Sequence, residues 1–534
     1  MRNTQIWRLC GLAALLLNLA TTVPAQTYSV IYNFGDIFRD AVAPQYSGII
    51  AQGRDGSLFS TTPFGGQNGA GTVFKVSTSG HVSVVYSFNI TDGQYPYGGL
   101  TLGADGCFYG TTYSGGGSFN GGVIFKITAD GKLTVLHTFV FGEGFQAMAP
   151  PVLGEDGNLY GTTRAGGANG YGSIYRISPT GQFKTIYSFD YTHGRAPMSP
   201  LMVGSDENFY GTAWEGGKAG IGTVFRMTLK GSVTTVHNFN WTDGAYPYGP
   251  LVQAADGNLY GTAAQGGSTG FGTVFKVSTK GVYKMLHSFA AGEQQYSYVG
   301  VVQGTDGNFY GGTYGNFGLL YQITPTGTFS VVHTFDNFHG SHPNVTPMQH
   351  TTGTLYGDTV NGGTHGSGTF YSVDASLKPY AAMVPAWGKV RNSVGLLGQG
   401  LTGTKSVSLN GAAATFTVIS DTFLTATVPD GATTGPITLT TPTGKLVSNQ
   451  NFHVLPVINS FTPTSGPVAT KVTITGVSLM QTKAVKFGSA IASFTVVNDK
   501  QVTAIVPTNA KSAKITITTA GGSALSTGFF TVTP

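Results

Sequence analysis

Charge is scarce in this chain. Asp, Glu, Lys and Arg make up 10% of its 534 residues, against about a quarter in an ordinary globular protein. No run of like charges occurs, so no nucleic-acid-binding arm is expected. Cysteine is nearly missing, with two in the chain, Cys10 and Cys107. Once an N-terminal signal is removed only Cys107 remains, which excludes an intrachain disulfide framework. Long apolar runs are missing beyond the first 25 residues, so no later membrane span is expected. No Gly-x-Ser-x-Gly elbow, His-Glu-x-x-His helix or Cys–His zinc spacing occurs.

Glycine, by contrast, is abundant at 80 residues, and aromatics reach 12%. Low charge with many Gly, Thr, Val, Tyr and Phe is the composition of a turn-rich all-β protein. The first 25 residues read as a secretory signal. Arg2 and Arg8 form a basic start, Leu9 to Ala20 a short apolar run, and Val23-Pro24-Ala25 a small-residue cleavage site. From residue 26 to 374 there are 15 basic and 20 acidic residues; from 375 onward there are 11 and 3. The basic excess of the last third is scattered, as on a solvated surface.

The chain is built on a repeat. Asp156-Gly157-Asn158-Leu159-Tyr160-Gly161-Thr162-Thr163 recurs seven times, with the other copies starting at Asp55, Asp105, Asp206, Asp256, Asp306 and Thr352. A period near 50 residues indicates a propeller, solenoid or array. In the second copy, Gly99 to Leu102 predicts a short strand a, and Phe108 to Thr112 a strand b. Val123 to Ile127 predicts strand c, and Leu133 to Phe139 strand d. Asp105-Gly106 and Asp130-Gly131 supply tight hairpin turns, and a Gly-rich loop joins b to c. Four antiparallel strands per copy make one blade, so seven copies predict a seven-bladed β-propeller over residues 26–376. The segment Tyr28 to Phe34 reads like a strand d, whereas the seventh copy loses its own after Val373. The N-terminal strand is therefore expected to complete the last blade and remove the open edges.

These units, such as Asp256 to Thr262 followed by Phe271 to Val277, resemble GloVer tandem repeats, and their strand pattern is similar to NHL-type propellers. The resemblance implies a secreted bacterial protein with a propeller fold; it implies no reaction.

Loops a–b and c–d fall on one face and are tight. Loops b–c and d–a fall on the other and are long, which makes that face the place to look for function. Two registers stand out there. The d–a loops carry Asp92, Glu143, His193, Asp243, Glu293 and His339, with Asp40 as a seventh member. A ring of this kind suggests Ca or Mg on Asp92, Glu143, Asp243 and Glu293. It also suggests acid–base work by His193, Asp243 and Glu293, with Glu215 nearby. The Asp-Gly and His-Gly pairs in it equally serve as turn dipeptides. The second register follows strand b and changes character in nearly every copy: Pro63, Tyr113, Arg164, Trp214, Ala264, Tyr314 and Val360. Tyr113, Trp214 and Tyr314 are suited to stacking on sugars, and Arg164 to holding an anion. A third register, Tyr86, His137, Tyr187, His237, His287 and His333 in strand d, marks a packing position.

Two units about 78 residues apart close the chain. Phe416 to Asp421 matches Phe494 to Asp499, and Leu424 to Pro429 matches Val502 to Pro507. They predict two small sandwiches, 377–454 and 455–534, similar to IPT/TIG immunoglobulin-like domains. Phe461-Thr462-Pro463-Thr464-Ser465-Gly466-Pro467 carries the likeness in the second. The first departs from it at Val384-Pro385-Ala386-Trp387-Gly388.

The expectation is a monomeric, secreted or surface-held, non-catalytic protein that recognises an extracellular glycan or surface polymer. A polysaccharide hydrolase or lyase using a divalent cation is the first alternative, and a structural envelope protein the second.

Overall fold

The computed structural model describes residues 26–36, 39–44, 48–77 and 79–534. The expected signal, 1–25, lies outside the described residues. The chain is all-β, and Ala291–Glu293 is the one helical turn among the described residues.

Repeat units one to six each fold into a four-stranded sheet in the order a-b-c-d. In the second unit these are Thr101–Leu102, Phe108–Thr111, Val123–Ile127 and Leu133–Thr138. Strand b is buried along its whole length, and strand c at all but one position, because both lie between neighbouring sheets. Strand d carries only half-buried and exposed residues, as an outer edge does. The last repeat sheet joins the two ends of the array. Thr27–Asn33 pairs antiparallel with Thr369–Asp374, which pairs in turn with Leu355–Asn361. Seventh and first units also meet directly: Gln52 and Thr351 exchange hydrogen bonds of 2.8 and 3.1 Å.

Strand a lies innermost, where neighbouring backbones touch. Ile49 and Gly99 form a bridge between the first and second units. A Cβ on Gly249 would lie 2.4 Å from the Gly300 nitrogen, so only glycine fits at that crossing. At strand d the sheets have fanned apart, and long side chains span the gap.

The last third forms two successive pairs of sheets with one strand order. In the first, Ala382–Val384, Ser393–Leu397, Phe423–Thr427 and Phe416–Ser420 oppose a five-stranded sheet. In the second, Val457–Thr462, Lys471–Val477, Gln501–Ile505 and Phe494–Asn498 do the same. Each closes over its own apolar core, around Leu396, Leu424 and Phe452 in one and Ile474, Phe487 and Phe530 in the other.

These units rest on the tight-turn face. Tyr380 donates to the Gln349 carbonyl at 2.6 Å. Thr422 Oγ1 donates to the Arg54 carbonyl at 2.7 Å, and the Arg54 guanidinium lies 4.6 Å over the Phe423 ring. The final unit reaches the fourth repeat, where Ser523 hydrogen-bonds Glu207. Burial pushes the neighbouring Glu155 up to about 8, with the Glu207 charge adding to it.

Candidate functional site

Each member of the acidic ring has a partner close in sequence. Its members do not converge, because each loop leaves strand d at the perimeter, and each member is tied inside its own unit. Asp92 accepts from the Tyr86 hydroxyl at 2.7 Å and the Asn89 amide at 2.9 Å. Glu143 lies 2.7 Å from His137 Nε2, Asp243 3.2 Å from His237 Nε2, and Glu293 2.7 Å from His287 Nε2. His193 and His339 turn back onto Asp190 and Asp336, each at 2.8 Å. Asp40 accepts from the Tyr32 hydroxyl at 2.6 Å. Among the described residues no group of three or more His, Cys, Asp or Glu is placed to hold a metal ion. Asp92, Glu143, Asp243 and Glu293 thus serve as turn and side-chain anchors, and the His193 ring is bonded to Asp190.

What these anchors hold is the strand-d register. His137 stacks on Phe183 of the next sheet at 3.9 Å, His237 on Tyr283 at 4.1 Å, and His287 on Phe329 at 4.2 Å. His333 stacks on Tyr28 of the N-terminal strand at 3.8 Å. Glu143, Asp243 and Glu293 each orient an imidazole that clasps the neighbouring sheet, whereas Asp92 holds the Tyr86 hydroxyl. Burial pushes the His333 pKa down, which favours the neutral ring in its stack.

The second register lies elsewhere, around the centre of the long-loop face. Its position follows from a backbone device repeated in every unit. Ala43, Tyr95, Gln146, Ala196, Tyr246, Tyr296 and His342 all have left-handed φ, between 47° and 65°. That conformation is costly for residues with a side chain. Hydrogen bonds on both sides hold it. The Tyr95 amide donates to the Ala70 carbonyl of the preceding unit at 2.9 Å, and the Tyr95 carbonyl accepts from the Tyr113 amide at 3.1 Å. The same pair of bonds fixes Gln146 beside Arg164, Ala196 beside Trp214 and Tyr296 beside Tyr314. Each variable residue therefore stands next to a left-handed one on the inner rim.

The side chains meet as an aromatic rim. Tyr97 packs on Tyr113 at 5.6 Å. Trp214 packs on Tyr246 at 5.1 Å and on Tyr248 at 5.4 Å. Tyr248 continues to Tyr298 at 5.9 Å, Tyr298 to Tyr314 at 5.4 Å, and Tyr314 to His342 at 4.7 Å. Burial lowers the His342 pKa, favouring its neutral form. Met148 and Met198 fill the middle of the same cluster. Tyr113, Trp214 and Tyr314 were expected on this face from the sequence, and the aromatic partners beside them were not. The signal was present in Tyr95-Pro96-Tyr97, Tyr246-Pro247-Tyr248 and Tyr296-Ser297-Tyr298.

A pocket of about 90 Å³ opens on this rim between units three and four, lined by Arg164, Arg195, Met198, Trp214 and Glu215 among others. Arg164 Nη1 donates to Gln146 Oε1 at 3.1 Å. Arg195 and Glu215 form an ion pair at 3.0 Å, and their backbones pair as well. Glu215 is thus matched to a guanidinium, with no second carboxylate lining the pocket.

Fold and rim together define an all-β repeat protein with one structured loop face. The family model described as the Gloeobacter/Verrucomicrobia repeat matches residues 19–202 and 146–371, and the chain belongs to that family. An IPT/TIG domain matches residues 456–532. No curated protein matches the chain. Among solved structures, it is similar to a fungal alcohol oxidase of the AA5 family in complex with copper. The identity is 14% and the TM-score 0.39, over 95% of this chain and 99% of that one. It is also similar to the surface glycan-binding protein PbSGBP-B from Prevotella bryantii. There the identity is 17% and the TM-score 0.22, over 27% and 38% of the two chains. Among the described residues no helix is long and apolar enough to cross a membrane.

Proposed function

We propose that this is a secreted, non-catalytic binding protein that recognises an extracellular glycan or surface polymer on its long-loop face. In this reading residues 26–376 form a seven-bladed β-propeller and residues 1–25 a signal that is removed. Residues 377–454 and 455–534 are two immunoglobulin-like sandwiches. The observation that carries the reading is the aromatic rim. Tyr97, Tyr113, Trp214, Tyr298 and Tyr314 form half-buried flat surfaces, backed by the buried Tyr248, on loops pinned from both sides. A rigid aromatic platform binds at low entropic cost. The ring acids are engaged in turns and clasps, which favours binding over a hydrolase or lyase reaction.

The test is a glycan and polysaccharide panel on the full chain, scored for retention and for new reducing or unsaturated ends. Binding without product is expected. Trp214→Ala should weaken it by about 2 kcal/mol, roughly thirtyfold, as loss of a central aromatic anchor does. Product formation, or binding indifferent to Trp214→Ala and Tyr298→Ala, overturns the proposal.

A further inference from the structure

We infer that the pocket between units three and four is a subsite for a carboxylated sugar, a uronate unit within the bound polymer. The inference rests on the glycan-binding reading and adds a ligand class to it.

The rim is not uniform. Aromatic rings run along unit two, through Tyr97 and Tyr113, and from unit four onward, through Trp214 to Tyr314. Between these arcs the corresponding positions are Gln146, Met148, Arg164, Ala196 and Met198. The gap is where the pocket opens.

It is also where positive charge collects. The repeat region carries more acids than bases, and most of its basic residues sit in strands c and d or in the tight turns. Of its 15 Lys and Arg, only Arg39, Arg164, Arg195 and Lys218 belong to the long loops. Arg164 and Arg195 line the pocket, and Lys218 stands exposed in the loop that follows Glu215. The acids of the same loops are held in turns at the perimeter, except Glu215. Arg164, Arg195 and Glu215 together leave one positive charge in the pocket, which matches one carboxylate.

Geometry supports the match. A guanidinium offers five donors in a planar fork suited to bidentate carboxylate binding. Arg164 commits one of them to Gln146. Arg195 is paired with Glu215 on an exposed edge, where an incoming carboxylate is able to share it. Trp214 forms the adjoining wall, held against Tyr246 and Tyr248. The pocket is far below the roughly 300–1,000 Å³ that encloses a whole small ligand. It is sized for a substituent, while the rest of the polymer lies across the aromatic rim.

The experiment measures binding of the full chain to oligogalacturonate, to the same oligomer as its methyl ester, to a glucuronate-containing oligomer and to a sulfated glycan. The free acids should bind at least tenfold tighter than the ester at low salt, with the difference shrinking as salt rises. Arg164→Ala should abolish the preference while the ester still binds and the thermal midpoint holds. Arg195→Ala provides a second variant, expected to reduce the preference in the same direction. Equal affinity for acid and ester, or a preference unchanged in both variants, overturns the inference and leaves the glycan reading standing. A stronger preference for the sulfated glycan overturns the carboxylate assignment. Failure to bind any glycan, neutral or acidic, overturns both.

Discussion

Asp358 offers the sharpest test of how the repeat is held together. It lies in strand b of the seventh unit, fully buried, and neither carboxyl oxygen has a hydrogen-bond partner among the described residues. Five other units place Thr at this register: Thr61, Thr111, Thr162, Thr212 and Thr262. There the hydroxyl ties one unit to the next, as Thr111 Oγ1 does to the Ala149 carbonyl at 3.0 Å and Thr162 Oγ1 to the Ser199 carbonyl at 3.2 Å. Burial holds the Asp358 pKa well above the usual carboxylate range. The native state therefore keeps a proton that the unfolded chain releases above about pH 3.9. Stability is highest below that value and falls as pH rises towards the native one, by about 1.4 kcal/mol per pH unit. The unpaired buried group costs a further ~1–3 kcal/mol. Asp358→Thr is close in volume and restores the local pattern. It should raise the urea midpoint at pH 6. Between pH 5 and pH 6 the parent should lose stability relative to the variant, by at most about 1.4 kcal/mol. Urea titrations followed by fluorescence at both values read this directly. Parallel pH dependence in parent and variant, or a variant less stable than the parent at pH 6, refutes the reasoning.

Two other perturbations separate structure from binding. His137→Ala removes the stack on Phe183 and leaves Glu143 without its imidazole; it should cost about 1–3 kcal/mol of stability and leave glycan affinity unchanged. Loss of binding at full stability would instead return the ring to the functional site. Glu155 is raised by burial to about 8, so its contribution favours the native state most below the ordinary value of 4.5 and declines between there and pH 8. Glu155→Gln should flatten the fall in thermal midpoint across that window; an unchanged profile would show that another group sets it.

Much of this architecture was legible in the sequence because a 50-residue period constrains every copy at once. Strands b and c were placed to within a residue, and the pairing of Tyr28 to Asn33 with the last sheet followed from the strand that the seventh copy lacks. The placement of the acidic ring was not legible, for a physical reason. Spacing shows that Asp92, Glu143 and Asp243 share a register, but not how far that register lies from the axis. The strand order puts it at the perimeter, where equivalent residues are held apart by whole sheets. The variable register lies beside strand a, where neighbouring backbones touch, so Tyr113, Arg164 and Trp214 fall within one connected rim. The left-handed residues next to it were invisible because Tyr, Gln, Ala and His do not advertise positive φ as Gly does. Repetition of the motif in the last third also exceeded its sequence signal: the first of those units lacks the Phe461-Thr462-Pro463 start yet shows the same strand order as the second.

The strand Thr27–Asn33 finds its partner roughly 340 residues later, at Thr369–Asp374. At a synthesis rate of about 5–20 residues per second, that partner emerges on the order of 20–70 s after it. Throughout that interval the first sheet has one unsatisfied flank, and so does the newest. Every intermediate length of the repeat region is a row of sheets with an uncovered face at each end. A truncated chain therefore exposes two sheet faces that the closed repeat region covers.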